Sequence, residues 1–457
     1  MSSSAAGSLN PEVVGGCLAL ASQTRPRHLR GVKVPHIIIA QIIRSLHDIF
    51  VDRRYSDKAV EFAFKNHHKW GSRDRRLFAE SIYECVRHWR WFWHLAGLPD
   101  ADHAKRECIG DEQIWSVWAA QWVTSGKDLP QFDELVGIRP QDIRAREKLP
   151  VPDVIRLSIP DWLDARCSRE MGDAWPTIRE TLNQPADVYL RTNTLKTDRR
   201  SLKERLGQDG FITEALKPIP TALVMQQRYN VFAMMAFKEG LFEVQDASSQ
   251  RVAPFVQAEP GMKVIDACAG GGGKTLHLGA LMQNKGRILA LDVHDWKLKE
   301  LRKRCGRAGV DVVETRVIEG SKSIKRLANY ADRVLLDVPC SGLGVLRRNP
   351  DAKWKLSEVE IDRLIIEQQD ILTRYSAMVK PGGKLVYATC SILPSENELQ
   401  VQKFLATHGE DWTLEEEMKI NPAESGHDGF YGARLVRKGN ALKADEPTES
   451  QIEPAAE

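Results

Sequence analysis

The sequence predicts an α/β protein. A mainly parallel sheet covered by helices fills its carboxyl-terminal half, preceded by a small α+β module and an all-helical amino-terminal domain. Three observations carry this. Apolar runs of strand length recur between 263 and 390, separated by helix-patterned segments. Near-continuous hydrophobic strands alternating with helices mean a parallel sheet buried on both faces. From His36 to about 150 apolar residues fall at helical spacing, and short strands of mixed texture lie between.

Length and composition bound the rest. A chain of 457 residues suits roughly two to four domains. With 42% hydrophobic and 28% charged residues it reads as a soluble globular protein. No run approaches the ~18 apolar residues of a membrane span. The apolar stretch 13–21 has no basic segment before it, as a secretory signal would. The cysteines at 17, 85, 108, 167, 268, 305, 340 and 390 contain no C-x-x-C pair, which argues against a disulfide framework and a structural zinc site. The expectation is a cytoplasmic monomer without metal.

In order, 1–33 is Ser-, Gly- and Ala-rich and reads as a flexible arm. The all-helical domain spans 34–150, with IIIAQIIRSLHDIF, KAVEFAF and RLFAESIYECV at helical spacing. Within it, 70–93 interleaves arginines with aromatics. The tryptophans read as a buried helix face, while Arg73, Arg75 and Arg76 are candidates for phosphate contact. Prolines near 149–153 and at 160 mark a boundary. A linker and the α+β module then occupy 151–244, with strands at 188–192 and 222–225 and a helix at 199–206. The domain with the large sheet covers 245–440, with strands at 263–269, 287–293, 311–317, 333–339 and 384–390. An acidic, disordered tail is expected over 441–457. In such a sheet ligands bind at the carboxyl ends of the strands.

The first long strand ends in Asp266-Ala267-Cys268-Ala269-Gly270-Gly271-Gly272-Gly273-Lys274-Thr275. Consecutive glycines let the backbone adopt positive φ and approach a ligand, at a cost in entropy that a plain turn would not need. The end of this loop imitates a phosphate-binding loop, but the glycine that pattern requires five residues before Gly273 is Cys268. A dinucleotide or adenosylmethionine loop fits better. The next strand ends in Asp292, whose carboxylate can accept both hydrogen bonds of a ribose diol or cap the following helix.

Two cysteines stand at ligand-side strand ends: Cys340 after Asp337-Val338-Pro339, and Cys390 after Ala388-Thr389. Adjacent strands would bring them to the crevice of the glycine loop. Methylation of cytosine at carbon 5 needs such a thiol, because that carbon becomes nucleophilic only after a thiolate adds to carbon 6. A carboxyl group facing ring nitrogen 3 would stabilise the developing charge, and Asp337 is placed for it. The target base must be single-stranded or flipped out.

At these motifs the chain resembles the RsmB/Sun family of RNA cytosine-5 methyltransferases. The family's loop C-A-[AS]-P-G-G-K aligns with 268–274, with Gly271 where the family has proline. Its D-x-P-C-S-G and Y-[AS]-T-C-S motifs are matched at 337–342 and 387–391, its P-x-E-N-E at 394–398 and its D-G-F-[FY] at 428–431. The resemblance implies a Rossmann-like class I methyltransferase domain with S-adenosyl-L-methionine as cofactor, a small RNA-binding module and a NusB-like helical domain. It implies Cys390 as nucleophile and Cys340 as the group assisting release. Cofactor contacts would be Cys268, Ala269, Gly270, Gly271, Gly272, Gly273, Lys274, Asp292, Glu319 and Asp337, with Lys274 and Asp337 also facing the base. The implied partner is RNA, 16S ribosomal RNA ahead of transfer RNA. Two other readings of the residues stay open: a P-loop NTPase acting on RNA, and a non-catalytic RNA-binding or assembly factor on the same fold.

Overall fold

The computed structural model describes residues 34–439; the expected arm at 1–33 and tail at 441–457 lie outside the described residues. The amino-terminal part is helical, with its longest helices at His36–Phe50, Ser56–Asn66, Ser72–Arg87 and Asp111–Thr124. Their periodic faces converge on one core built from Ile39, Ile42, Leu46, Phe78, Ile82 and Trp118. Trp89 and Trp93 are fully buried and Trp70 and Trp91 pack partly buried against the same core, so the aromatic stretch is a packed helix face, as read from sequence. The arginines divide. Arg73 and Arg76 are exposed, whereas Arg75 folds back to donate to Trp70 O at 3.0 Å and lies over the Phe64 ring.

Residues 151–183 are not a linker. Helices Asp161–Met171 and Trp175–Leu182 bury Leu163, Cys167, Trp175 and Ile178 against Leu343, Leu346, Ile361 and Leu393 of the carboxyl-terminal domain. Next come β1 (Tyr189–Thr192), a helix at Arg199–Gln208, β2 (Thr213–Ala215), β3 (Ala222–Met225), a short helix at Met235–Lys238 and β4 (Phe242–Val244). The sheet order is β2-β3-β1-β4, all antiparallel, the order of a ferredoxin-like split βαβ unit. Asp198 caps its long helix, accepting from the backbone of Arg200 and Ser201.

The carboxyl-terminal domain holds β5 (Lys263–Asp266), β6 (Arg287–Asp292), β7 (Val313–Val317), β8 (Ala331–Asp337), β9 (Val379–Thr389), β10 (Trp412–Ile420) and β11 (Phe430–Arg437). They form one sheet in the order β10-β11-β9-β8-β5-β6-β7. The strands from β9 to β7 run parallel, each within the apolar runs read from sequence or extending one of them. The antiparallel β10–β11 pair was not anticipated. Its sequence WTLEEEMKI shows water a row of acids, which suits a sheet edge because charge discourages pairing with another chain. Among the described residues no helix is long and apolar enough to cross a membrane.

Candidate active site

The strand order reverses at β5, which has β8 on one side and β6 on the other; a crevice opens at the carboxyl end of such a strand. The glycine loop fills it and leads into the helix Gly273–Leu281. Gly272 sits at φ +84°, and a Cβ there would lie 2.0 Å from Leu301 Cδ1. Only glycine fits. A Cβ on Gly270 would meet nothing within 4 Å, so the loop presents its edge to open space. Asp292, at the tip of β6, accepts from Gly270 N at 2.9 Å with one carboxylate oxygen and from His294 N at 2.8 Å with the other. Each oxygen keeps a lone pair for a diol. The capping role is not taken up, because the helix Asp295–Ala308 has His294 as its N-cap and no side-chain bond there; Asp292 holds the glycine loop and the turn before that helix.

Beneath the loop Asp266 is fully buried, accepts from Thr275 Oγ1 at 2.7 Å, and leaves its other oxygen without a partner. Burial pushes its carboxyl up to about 7. Lys274 Nζ donates to Asp337 Oδ2 at 2.6 Å. Burial works against the lysine's charge, but Asp337, with smaller help from Cys390 and Asp266, outweighs it and raises its pKa. Lys274 is an ammonium at neutral pH.

Asp337 ends β8 and Thr389 ends β9, two adjacent parallel strands with Asp337 opposite Ala388. Cys340 and Cys390 follow these ends, both partly exposed, with their sulfurs 3.4 Å apart. The hydrogen bond to Cys390, then burial and the charge of that sulfur, push the Cys340 thiol well up. Gly344 N donates to Cys390 O at 2.9 Å, and a Cβ on Gly344 would stand 2.7 Å from that oxygen.

The ferredoxin-like sheet grips the loop from outside. Buried Arg191 of β1 donates to Gly273 O at 2.5 Å and to Gln245. Arg304 donates to Gly271 O at 2.5 Å and to Glu243 Oε2 at 3.0 Å. Glu243 belongs to β4 and is 3% exposed. Of the residues singled out in the sequence, Cys340 meets Cys390, Lys274 meets Asp337, and Asp292 meets the glycine loop. Glu319 stands apart, exposed two residues beyond β7, with its N–H donating to Ser323 Oγ at 3.4 Å. Sequence reasoning missed Arg191 and Arg304, whose only signal was the strand and the helix in which they sit.

Comparison with known proteins agrees with this fold. The family model described as 16S rRNA methyltransferase RsmB/F matches residues 254–436. A second, for the ferredoxin-like domain of RsmF/B-like methyltransferases, matches 159–232. A probable ribosomal RNA small subunit methyltransferase B of Synechocystis sp. is 33% identical over 402 residues, 81% of this chain and 89% of that relative. The chain belongs to the RsmB/F methyltransferase family. Another relative, the ribosomal RNA small subunit methyltransferase B of Pasteurella multocida, is 35% identical over 291 residues, 60% of this chain and 64% of its own. The crystal structure of PH0851 superposes with a TM-score of 0.75 at 26% identity, covering 89% of this chain and all of that one. The expected Rossmann-like fold stands, and so does S-adenosylmethionine as the family's cofactor. The residues present fit it: an open-edged glycine loop beside a strand-tip carboxylate with two free lone pairs.

Proposed function

We propose that this protein methylates carbon 5 of a cytosine in small-subunit ribosomal RNA through a covalent bond between Cys390 and carbon 6 of the base. The observation that carries the reading is the pair of sulfurs 3.4 Å apart at the same strand ends as the Lys274–Asp337 ion pair. The names of the relatives support the RNA class. The loop 268–274 and Asp292 would hold S-adenosylmethionine, which supplies the methyl group. Glu319 is retained as an adenine contact from the family resemblance alone.

The steps balance on this chain's own residues. Cys390 sulfur bonds to carbon 6, the 5,6 electron pair moves to join carbons 4 and 5, and charge develops on nitrogen 3. Lys274 and Asp337 share a proton along their hydrogen bond; Asp337 passes it to nitrogen 3 as the negative charge develops and takes it back when the double bond between nitrogen 3 and carbon 4 re-forms. Carbon 5 is then nucleophilic and takes the methyl group. Its proton must leave to a base, and the electron pair it leaves behind expels Cys390. Cys340 suits this last step. Its thiol is held protonated chiefly by Cys390, and once Cys390 is an uncharged thioether that cause is gone. Cys340, partly exposed, then gives its own proton to solvent and as a thiolate accepts the proton from carbon 5. The two thiols act in turn.

The test is transfer of labelled methyl to small-subunit RNA and, in parallel, to transfer RNA. Cys390→Ala should fall to background. Cys340→Ala should accumulate a denaturant-resistant protein–RNA adduct, because formation survives and release does not. Methylation by Cys390→Ala would remove the covalent mechanism; label confined to transfer RNA would move the substrate.

A further inference from the structure

Each cysteine is followed by a serine, and the two serines share one acid. Glu396, with no exposed surface, lies in the short turn after β9. Its Oε1 accepts from Ser341 N at 2.8 Å and Gln368 Nε2 at 3.0 Å. Its Oε2 accepts from the hydroxyls of Ser341 and Ser391, which are 3.2 Å from each other. The hydroxyls in turn accept backbone N–H groups two residues on, Leu343 N at 3.4 Å and Leu393 N at 3.0 Å. Gln368 also donates to Pro339 O at 2.9 Å, the residue before Cys340. The turn that carries the acid is fixed separately, by Tyr387 OH donating to Glu396 O at 2.7 Å and Asn397 Nδ2 to Ser391 O at 3.2 Å.

We infer that Glu396 is a positioning residue that sets the distance between the two thiols. Strand pairing brings Asp337 opposite Ala388, but both cysteines lie beyond the paired residues, where no ladder fixes their spacing. The carboxylate replaces the ladder there. Four donors fill its two oxygens, and each strand-end loop supplies one of the two hydroxyls. A carboxylate accepts only, so it can gather four donors at one point, and at a fully buried residue each such bond is strong. Glutamine would turn an NH2 group toward two donors.

The inference rests on the two-thiol reading for its catalytic meaning, but the thiol spacing can be read without RNA. Oxidised glutathione converts two adjacent thiols to a disulfide and is reduced to two glutathiones, so the equilibrium reports how well the sulfurs are held together. In full-length protein, Glu396→Gln, Ser341→Ala and Ser391→Ala should each lower that equilibrium constant for the 340–390 pair by about tenfold, the scale of one buried hydrogen bond. S-adenosylhomocysteine affinity should stay within about twofold, because the glycine loop is untouched. With RNA, Ser341→Ala should slow release of the Cys390 adduct, and Ser391→Ala should slow its formation. If Glu396→Gln does not fold, the serine variants decide, since each removes a single hydroxyl and leaves the carboxylate in place. Disulfide equilibria equal to wild type in folded variants would overturn the positioning role. A normal shift in those equilibria with no adduct from Cys340→Ala would instead uphold the spacing and sink the covalent mechanism.

Discussion

Asp266 illustrates how a single buried group ties stability to pH at the site. Burial holds its carboxyl at about 7 in the folded protein, against about 4 in an unfolded chain. Between those values the folded state carries one more proton than the unfolded state, so raising the pH favours unfolding. The stabilisation is complete below pH 4 and lost as pH rises through 7, at about 1.4 kcal/mol per unit. Asp266→Asn keeps an acceptor for Thr275 and removes the titration. Denaturant melts of both proteins from pH 4.5 to 8 should show the wild type losing ground to the variant up to about pH 7 and running parallel above it. A constant difference across the range would place Asp266 in the ordinary carboxylate range. This property was not legible in the sequence, where Asp266 is one acid at a strand end; only the packing of the loop above it removes water. Cys340, Cys390 and Asp337 were legible, because strand ends in a parallel sheet share one crevice whatever the side chains around them.

At the scale of elements, the parallel strands announced themselves by unbroken apolar runs, whereas β10 did not. An edge strand buried on one side and charged on the other has neither a continuous run nor a clean alternation, and WTLEEEMKI reads as well as a helix. The same limit hid the brace on the glycine loop. Gly270 to Gly273 supply no side chain, so the loop's rigidity must come from outside: from Arg191 of β1 on Gly273 O, and from an arginine on the helix Asp295–Ala308 anchored to β4. Arg304 bridges Gly271 O and a buried carboxylate, and charge-assisted bonds of this kind contribute about 1.5–3 kcal/mol. Arg304→Ala should raise the dissociation constant for S-adenosylhomocysteine roughly tenfold or more by calorimetry. Arg304→Lys should recover little, because one ammonium on a flexible stem does not reproduce a planar fork. Affinity unchanged in the alanine variant would show that the loop holds its shape without Arg304.

Across the whole molecule, the helical domain is seated on the segment that follows Cys340. Trp354 Nε1 donates to Val86 O at 2.7 Å, Arg87 Nη2 to Arg347 O at 2.8 Å, buried Lys353 to Arg87 O at 2.8 Å, and Ser56 N to Asp351 Oδ2 at 2.9 Å. These bonds, most of them to backbone carbonyls, run between buried side chains such as Arg87, Lys353 and Asp351, so the helical domain holds a fixed position relative to the thiols. A fixed basic surface can set where an RNA lies, which a tethered one cannot. Arg73 and Arg76 face water from the helix Ser72–Arg87, while Arg75 is occupied by Trp70 and Phe64. If the domain selects RNA by neutralising phosphates, Arg73→Ser/Arg76→Ser should weaken RNA binding and flatten its salt dependence. The slope of log affinity against log salt should fall by roughly 0.7 for each phosphate that is no longer neutralised. Arg75→Ser should cost stability instead and leave the slope of the folded protein alone. The slope separates phosphate binding from a general loss of structure, because a loosened fold lowers affinity at every salt concentration alike. A double variant with wild-type slope would mean that the RNA path runs elsewhere, with the ferredoxin-like sheet next to the glycine loop as the surface to neutralise.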